Sequence, residues 1–157
     1  MGNYRKLTNH EILVLEQQHC FCRHWDKVRV KEGFDPQRIR NTEFSGDIRL
    51  GVFEKDHELW GGVEKKCGIY DAKIHNCTIH DNVLINKISN YIANYEIQAN
   101  VIINNVGILA VNGEPAFGNG LQVETLNEAG GREVLIYEQL TAQIAYLQTF
   151  YRHKPEL

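Results

Sequence analysis

One regularity constrains this chain more than any other: apolar residues recur at offsets 0, 4, 6 and 9 in five successive blocks. The blocks are Phe44, Ile48, Leu50 and Phe53; Val63, Cys67, Ile69 and Ala72; Ile79, Val83, Ile85 and Ile88; Ile97, Val101, Ile103 and Val106; and Phe117, Leu121, Val123 and Leu126. Their starts lie 19, 16, 18 and 20 residues apart. All twenty slots are apolar in a chain that is 43% apolar overall, well above what composition supplies. Asparagine keeps the same step: Asn76, Asn94 and Asn112 are spaced by 18, as are Asn82 and Asn100, and Asn86 and Asn104. Asn tolerates the left-handed backbone of a tight corner. A period near 18 with β-branched inward positions therefore predicts coils of three short strands, stacked in parallel about 4.8 Å apart. No single coil buries its own apolar face, so stability has to come from the stack.

The remaining composition excludes several classes. Lys plus Arg is 17 against 20 Asp plus Glu, a net charge of -3, which argues against a nucleic-acid partner. The longest apolar run, near Val106–Val111, is far short of the roughly 20 residues of a membrane helix. The N-terminus lacks the apolar stretch of a secretory signal, so a cytoplasmic location without membrane association is expected. Four cysteines (Cys20, Cys22, Cys67 and Cys77) are then expected as reduced thiols. Cys20 and Cys22 lie between His19 and His24, but the C-x-C spacing is not that of a zinc knuckle.

The ends read as helical. Thr8 and Glu11 form a T-x-x-E capping box ahead of Ile12, Leu13 and Leu15, and the helix is expected to cover the first coil. From Arg132 to His153, Tyr137, Leu140, Ile144, Leu147 and Tyr151 alternate spacings of three and four, predicting one long C-terminal helix. The expected organisation is one mainly β domain: a lead-in and cap over 1–38, a β-helix of about five coils over 39–127, and the helix over 128–157.

From about Ile39 to Leu126, and best at IHNCTIHDNVLI over 74–85, the sequence resembles the hexapeptide-repeat proteins. The resemblance implies a single-stranded left-handed parallel β-helix, an exception to the usual right-handed crossover. The flanks at Asn90–Tyr95 and 126–134 are similar to an uncharacterised bacterial family on this fold whose members are longer.

Within a coil, His75 and His80 follow the inward Ile74 and Ile79 and so face outward. An outer histidine can serve as general base or metal ligand; the plain alternative is a solvated polar position. One branch of the family moves acyl groups from coenzyme A or a carrier protein, using a histidine base between prisms of a trimer. By that resemblance His75 or His80 is the catalytic base, and acyl-CoA the donor, in a transferase for an acyl or sugar-nucleotide-related small molecule. Asn94 and Asn112 would offer amides to that substrate, although a corner ladder explains them too. ValAsnGlyGluProAlaPheGlyAsnGly at 111–120 carries the two-residue excess of the longest interval, and Glu114 is its only charge and a further substrate-binding candidate.

The carbonic-anhydrase-like branch shares zinc between subunits through three histidines. His75 matches one ligand, but Tyr70 stands at the second and His57 is only a poor match to the third. Zinc is therefore not expected by inheritance, and a His57–His75–His80 site would be a new arrangement. A non-catalytic homo-oligomeric scaffold within a longer protein is the other alternative. GluAlaGlyGlyArgGlu at 128–133 reads as a flexible joint rather than a phosphate loop, since it lacks the G-x-x-x-x-G-K-[ST] pattern.

Overall fold

The computed structural model describes residues 3–59, 61–116, 118–124 and 130–154. They fall into two compact units, Met1–Asn112 and Gly113–Leu157.

The first unit opens with β1 (Tyr4–Lys6) and α1 (Asn9–Gln17), followed by β2 (Phe21–Cys22) and β3 (Val28–Lys31). β4 (Ile39–Ser45) and β5 (Ile48–Leu50) lead to a pair of strands, β6 (Asp56–Leu59) and β7 (Val63–Lys66). After them come β8 (Gly68–His75), β9 (Thr78–Ile79), β10 (Leu84–Ala93), β11 (Glu96–Ile97) and β12 (Ile102–Ala110). The parallel ladders β2-β4-β8-β10-β12 and β3-β5-β9-β11 form a β-solenoid of about five turns, with β1 added antiparallel to β3. Strands β2 and β3, which pair in parallel with β4 and β5, extend the stack N-terminal of Ile39.

Stacking places like residues above like residues. Ile39, Ile69, Ile85 and Ile103 form one column, and Cys22, Phe44, Ile74 and Ile92 another. Leu50, Ile79 and Ile97 make a third. These side chains, with Val28, Val30, Phe53 and Val83, form one buried core that Leu15 of α1 joins and against which the half-buried Ile103 packs. Each fully buried aliphatic side chain contributes about 1.5–3 kcal/mol relative to exposure, so the columns carry the stability of the stack.

The corners explain the asparagine step. Asn76, Asn82, Asn94, Asn100 and Asn105 all adopt positive φ, between 49° and 62°. Asn86 and Asn104 keep the same step for another reason: they stack along β10 and β12, and Asn86 Nδ2 donates to Asn104 Oδ1 at 2.7 Å. Asn86 is buried, so this bond also satisfies a group cut off from water.

The block expected to start at Val63 is out of register. Ile69 stacks on Ile39, 30 residues earlier, because the antiparallel β6–β7 hairpin is inserted into that coil. Val63 lies on the hairpin and is 58% exposed, while Cys67, Ile69 and Ala72 keep their inward places. The offset pattern fitted Val63 because a hairpin strand also carries an apolar residue at the right distance.

The second unit corrects two further expectations. Val123 of the fifth block belongs to β13 (Gln122–Glu124), which pairs antiparallel with β14 (Glu133–Leu135), and Leu121 is exposed. Phe117 and Leu126 of that block lie outside the described residues. The long C-terminal helix is replaced by β14, a turn and the nine-residue α2 (Ala142–Phe150). Glu133-Val134-Leu135-Ile136-Tyr137 is rich in strand formers, and Val134 is buried. Thr141 accepts a hydrogen bond from Ile144 N at 3.2 Å and so starts the helix there.

Candidate functional site

The outer face of the long-strand ladder carries the first candidate. Ser45, His75, Ala93 and Ala110 occupy successive coils in one outward column. In the neighbouring column, Phe21 pairs with Glu43 and Glu43 with Lys73, while Tyr91 pairs with Ile108. His75 Nδ1 lies 2.9 Å from Ser45 Oγ, and its Nε2 has no hydrogen-bond partner among the described residues. Lys73 Nζ is 3.3 Å from Glu43 Oε2. Glu43, Ser45, Lys73, His75, Tyr91 and Ala93 line a recess of about 280 Å³. The small side chain of Ala93 leaves the space directly above His75 in its column.

The backbone around His75 is fixed by corner chemistry. Asn76 turns the chain with φ 49°, and its Oδ1 accepts from Asp47 N at 3.0 Å. Asn76 N donates to Ser45 O at 3.1 Å, and Asn94 N to His75 O at 3.0 Å. Gly46 has φ 68°, and a Cβ there would run into the Asn76 carboxamide and come within 3.2 Å of His75 Cε1. Glycine at this corner is therefore what lets Ser45 and His75 meet.

His80 occupies a different environment. Its Nε2 lies 2.7 Å from Glu96 Oε1 on the next coil. The hydrogen bond from His80 holds the Glu96 carboxyl below the usual carboxylate range, with a smaller contribution from the positive charge of Arg49. Beside it, Asp81 accepts from Lys31 Nζ at 2.7 Å and Val52 N at 2.9 Å. Burial opposes ionisation of Asp81, but those two donors outweigh it and keep its carboxyl low.

His57 on β6 donates from Nε2 to Asn82 O at 2.6 Å, and Asn82 Oδ1 accepts from Glu54 N and Lys55 N. These bonds pin the base of the hairpin. Within one chain His57, His75 and His80 thus have three separate sets of partners, and among the described residues no three His, Cys, Asp or Glu side chains gather as a metal site.

Asn94 is a corner residue whose Nδ2 donates to Val111 O at 2.8 Å. Asn112 is exposed and lacks the left-handed conformation of its counterparts. Glu114 is exposed in the second unit. At the glycine joint, Gly131 N donates to Glu133 Oε1 at 2.6 Å. That carboxylate takes the N–H an anion would need.

Sequence reasoning missed Ser45, Tyr91 and Glu96. Ser45 stands 30 residues before its partner, hidden by the hairpin insertion. Glu96 carried a usable signal: it pairs with Thr78 one regular 18-residue coil away, which places it outward and next to His80.

All four cysteines are buried, and burial pushes each thiol above its ordinary value. No helix among the described residues is long and apolar enough to cross a membrane.

An uncharacterized protein from Treponema pallidum (strain Nichols) is 27% identical to this chain over 162 residues. The match covers 96% of the chain but only 22% of that relative, so the chain spans about a fifth of its length. No solved structure matches the chain. A family model described as Domain of unknown function (DUF4954) matches residues 4–157, nearly the full length and including every coil described above, and the chain therefore belongs to that family.

Proposed function

We propose that this chain is a left-handed β-helix of the hexapeptide-repeat type that transfers an acyl group from a thioester donor such as acyl-CoA, with His75 as general base. The observation that carries this reading is the Ser45–His75 pair, at 2.9 Å, on the wall of a 280 Å³ recess. In the tautomer this reading requires, His75 Nδ1–H donates to Ser45 Oγ, and Nε2 keeps a lone pair for substrate. An acceptor hydroxyl or amine gives its proton to Nε2 as its oxygen or nitrogen bonds the thioester carbonyl carbon. The carbon–sulfur bond then breaks, and the departing thiolate takes the proton back from His75. Donor and acceptor become thiol and acylated acceptor, and His75 is restored. Tyr91 would pack against the acyl chain or its carrier. A homotrimer in the cytoplasm belongs to the same reading, with a neighbouring prism closing the recess.

The test is thiol release from acetyl-CoA and a short-chain acyl-CoA in the presence of amine and sugar acceptors. Acceptor-dependent release that His75→Ala abolishes supports the reading. Release that His75→Ala leaves unchanged, or none with any acceptor, counts against it.

A second reading is a non-catalytic assembly module of a longer protein. It is favoured by the short share of the Treponema relative that the chain covers and by the exposed apolar side chains of α2, Tyr146, Leu147 and Phe150. Native mass spectrometry of the chain and of a form ending at Arg132 separates the two. An oligomer that depends on the removed segment favours assembly.

A further inference from the structure

We infer that the outer face of the short-strand ladder binds a phosphate ester carried on a hydroxyl-rich small molecule, held by Arg29 and Arg49. The two arginines face outward on β3 and β5 and stand directly opposite one another in parallel register, with Thr78 of β9 next in line. Lys6 of β1 flanks Arg29 on the other side. Three cations in consecutive positions, at the roughly 4.8 Å spacing of paired strands, repel one another. Neither arginine makes a salt bridge or a side-chain hydrogen bond to any described residue, and Arg29 Nη1 is buried without a partner. An unsatisfied buried donor costs free energy, and stacked like charges add to that cost. One anion bridging the two guanidinium groups relieves the repulsion between them.

The surface beside them has the shape for such a ligand. A groove of about 620 Å³ is lined by Lys27, Arg29, Arg49 and Thr78 together with Asp26 and Asp47. The cations outnumber the carboxylates, and planar guanidinium forks match phosphate oxygens in a way that a lone ammonium cannot. Thr78 adds a hydroxyl donor. Asp26 and Asp47 are in no salt bridge among the described residues, and they oppose a bare anion. They suit instead the hydroxyl donors of a sugar attached to the phosphate. This combination selects a sugar phosphate or the ribose phosphate of a nucleotide over inorganic phosphate. The groove shares no lining residue with the His75 recess, and of the corner residues named beside His75 only Asp47 and Asn76 reach it.

The test follows the arginine Nε–H resonances of the intact chain by NMR during titration with glucose 6-phosphate, inorganic phosphate and chloride at constant ionic strength. Saturable shifts at Arg29 and Arg49 with glucose 6-phosphate, tighter than with phosphate, are expected. Arg49 is exposed, so Arg49→Gln should fold normally and weaken glucose 6-phosphate by about tenfold, equivalent to roughly 1.4 kcal/mol. Asp47→Asn should strengthen inorganic phosphate while narrowing the preference for the sugar ester. His75→Ala should leave these titrations unchanged, which keeps this inference separable from the acyl-transfer reading. Shifts that chloride reproduces, or an Arg49→Gln titration identical to that of the parent chain, would overturn it.

Discussion

Ser45 and His75 stand thirty residues apart in sequence and one coil apart in space, with Oγ and Nδ1 separated by 2.9 Å. A pair of this kind fixes the ring's orientation, and orientation is what converts an exposed histidine into a usable base. If acyl transfer takes place here, Ser45→Ala should lower kcat about tenfold with little change in KM, while His75→Ala should abolish turnover. Circular dichroism should show both variants folded, because both side chains are exposed. A Ser45→Ala enzyme with full activity would remove the pair from the mechanism.

Gly51 lies where two coils approach closely. A Cβ there would strike Asp81 Oδ1 and approach the His80 carbonyl carbon to 2.6 Å and Asp81 N to 2.8 Å. Two of those contacts are backbone, so the neighbour cannot swing aside. Gly51→Ala should destabilise the chain by about 2 kcal/mol or more, read as a shift in the urea midpoint.

Glu11 closes the capping box on Thr8 and accepts two bonds from Arg5, at 2.8 and 2.9 Å. The Arg5 guanidinium, reinforced by the Thr8 N–H and hydroxyl, overcomes burial and holds the Glu11 carboxyl at about 2. A depressed folded-state value means that ionised Glu11 stabilises the fold above its unfolded value, near 4.3, and that this contribution fades as pH falls toward 2. Glu11→Ala should therefore cost about 2–3 kcal/mol at pH 7. The gap between variant and parent should shrink steadily in denaturation series between pH 4.5 and 2. A gap that stays constant over that range would show that Glu11 contributes packing rather than charge.

The cysteines provide a direct probe of the stack. Cys67 and Cys77 are at most 1% exposed, and Cys20 and Cys22 at most 6%. Because burial also raises their thiols, all four should resist an aromatic disulfide reagent at pH 8 in the folded chain. They should react together once urea unfolds it. Early reaction of Cys20 and Cys22 alone would place local opening at the N-terminal coil.

Much of the coil architecture can be read in one dimension because a solenoid contacts mainly its neighbours. Ile79, Val83, Ile85 and Ile88 found their places from offsets alone, and so did Ile97, Val101, Ile103 and Val106. Asn76, Asn82, Asn94 and Asn100 marked corners because few other side chains accept positive φ. Thr8 and Glu11 announced α1 through chemistry confined to four residues. At the other end the same logic misled: Tyr137 to Tyr151 kept a helical period, yet Val134 pairs with Val123 and only Ala142–Phe150 coils.

The sequence by itself determined the coil, its inward columns and its corners, since those depend on residues within one period. Tertiary structure alone decided which coil lies on which. The β6–β7 insertion separates Ile69 from Ile39 by 30 residues rather than 18, and no local pattern records that a hairpin leaves the stack and returns in register. Ser45 beside His75 and Arg29 opposite Arg49 follow from stacking across coils of unequal length. Each is a through-space partnership, set by strand pairing and close packing rather than by spacing along the chain.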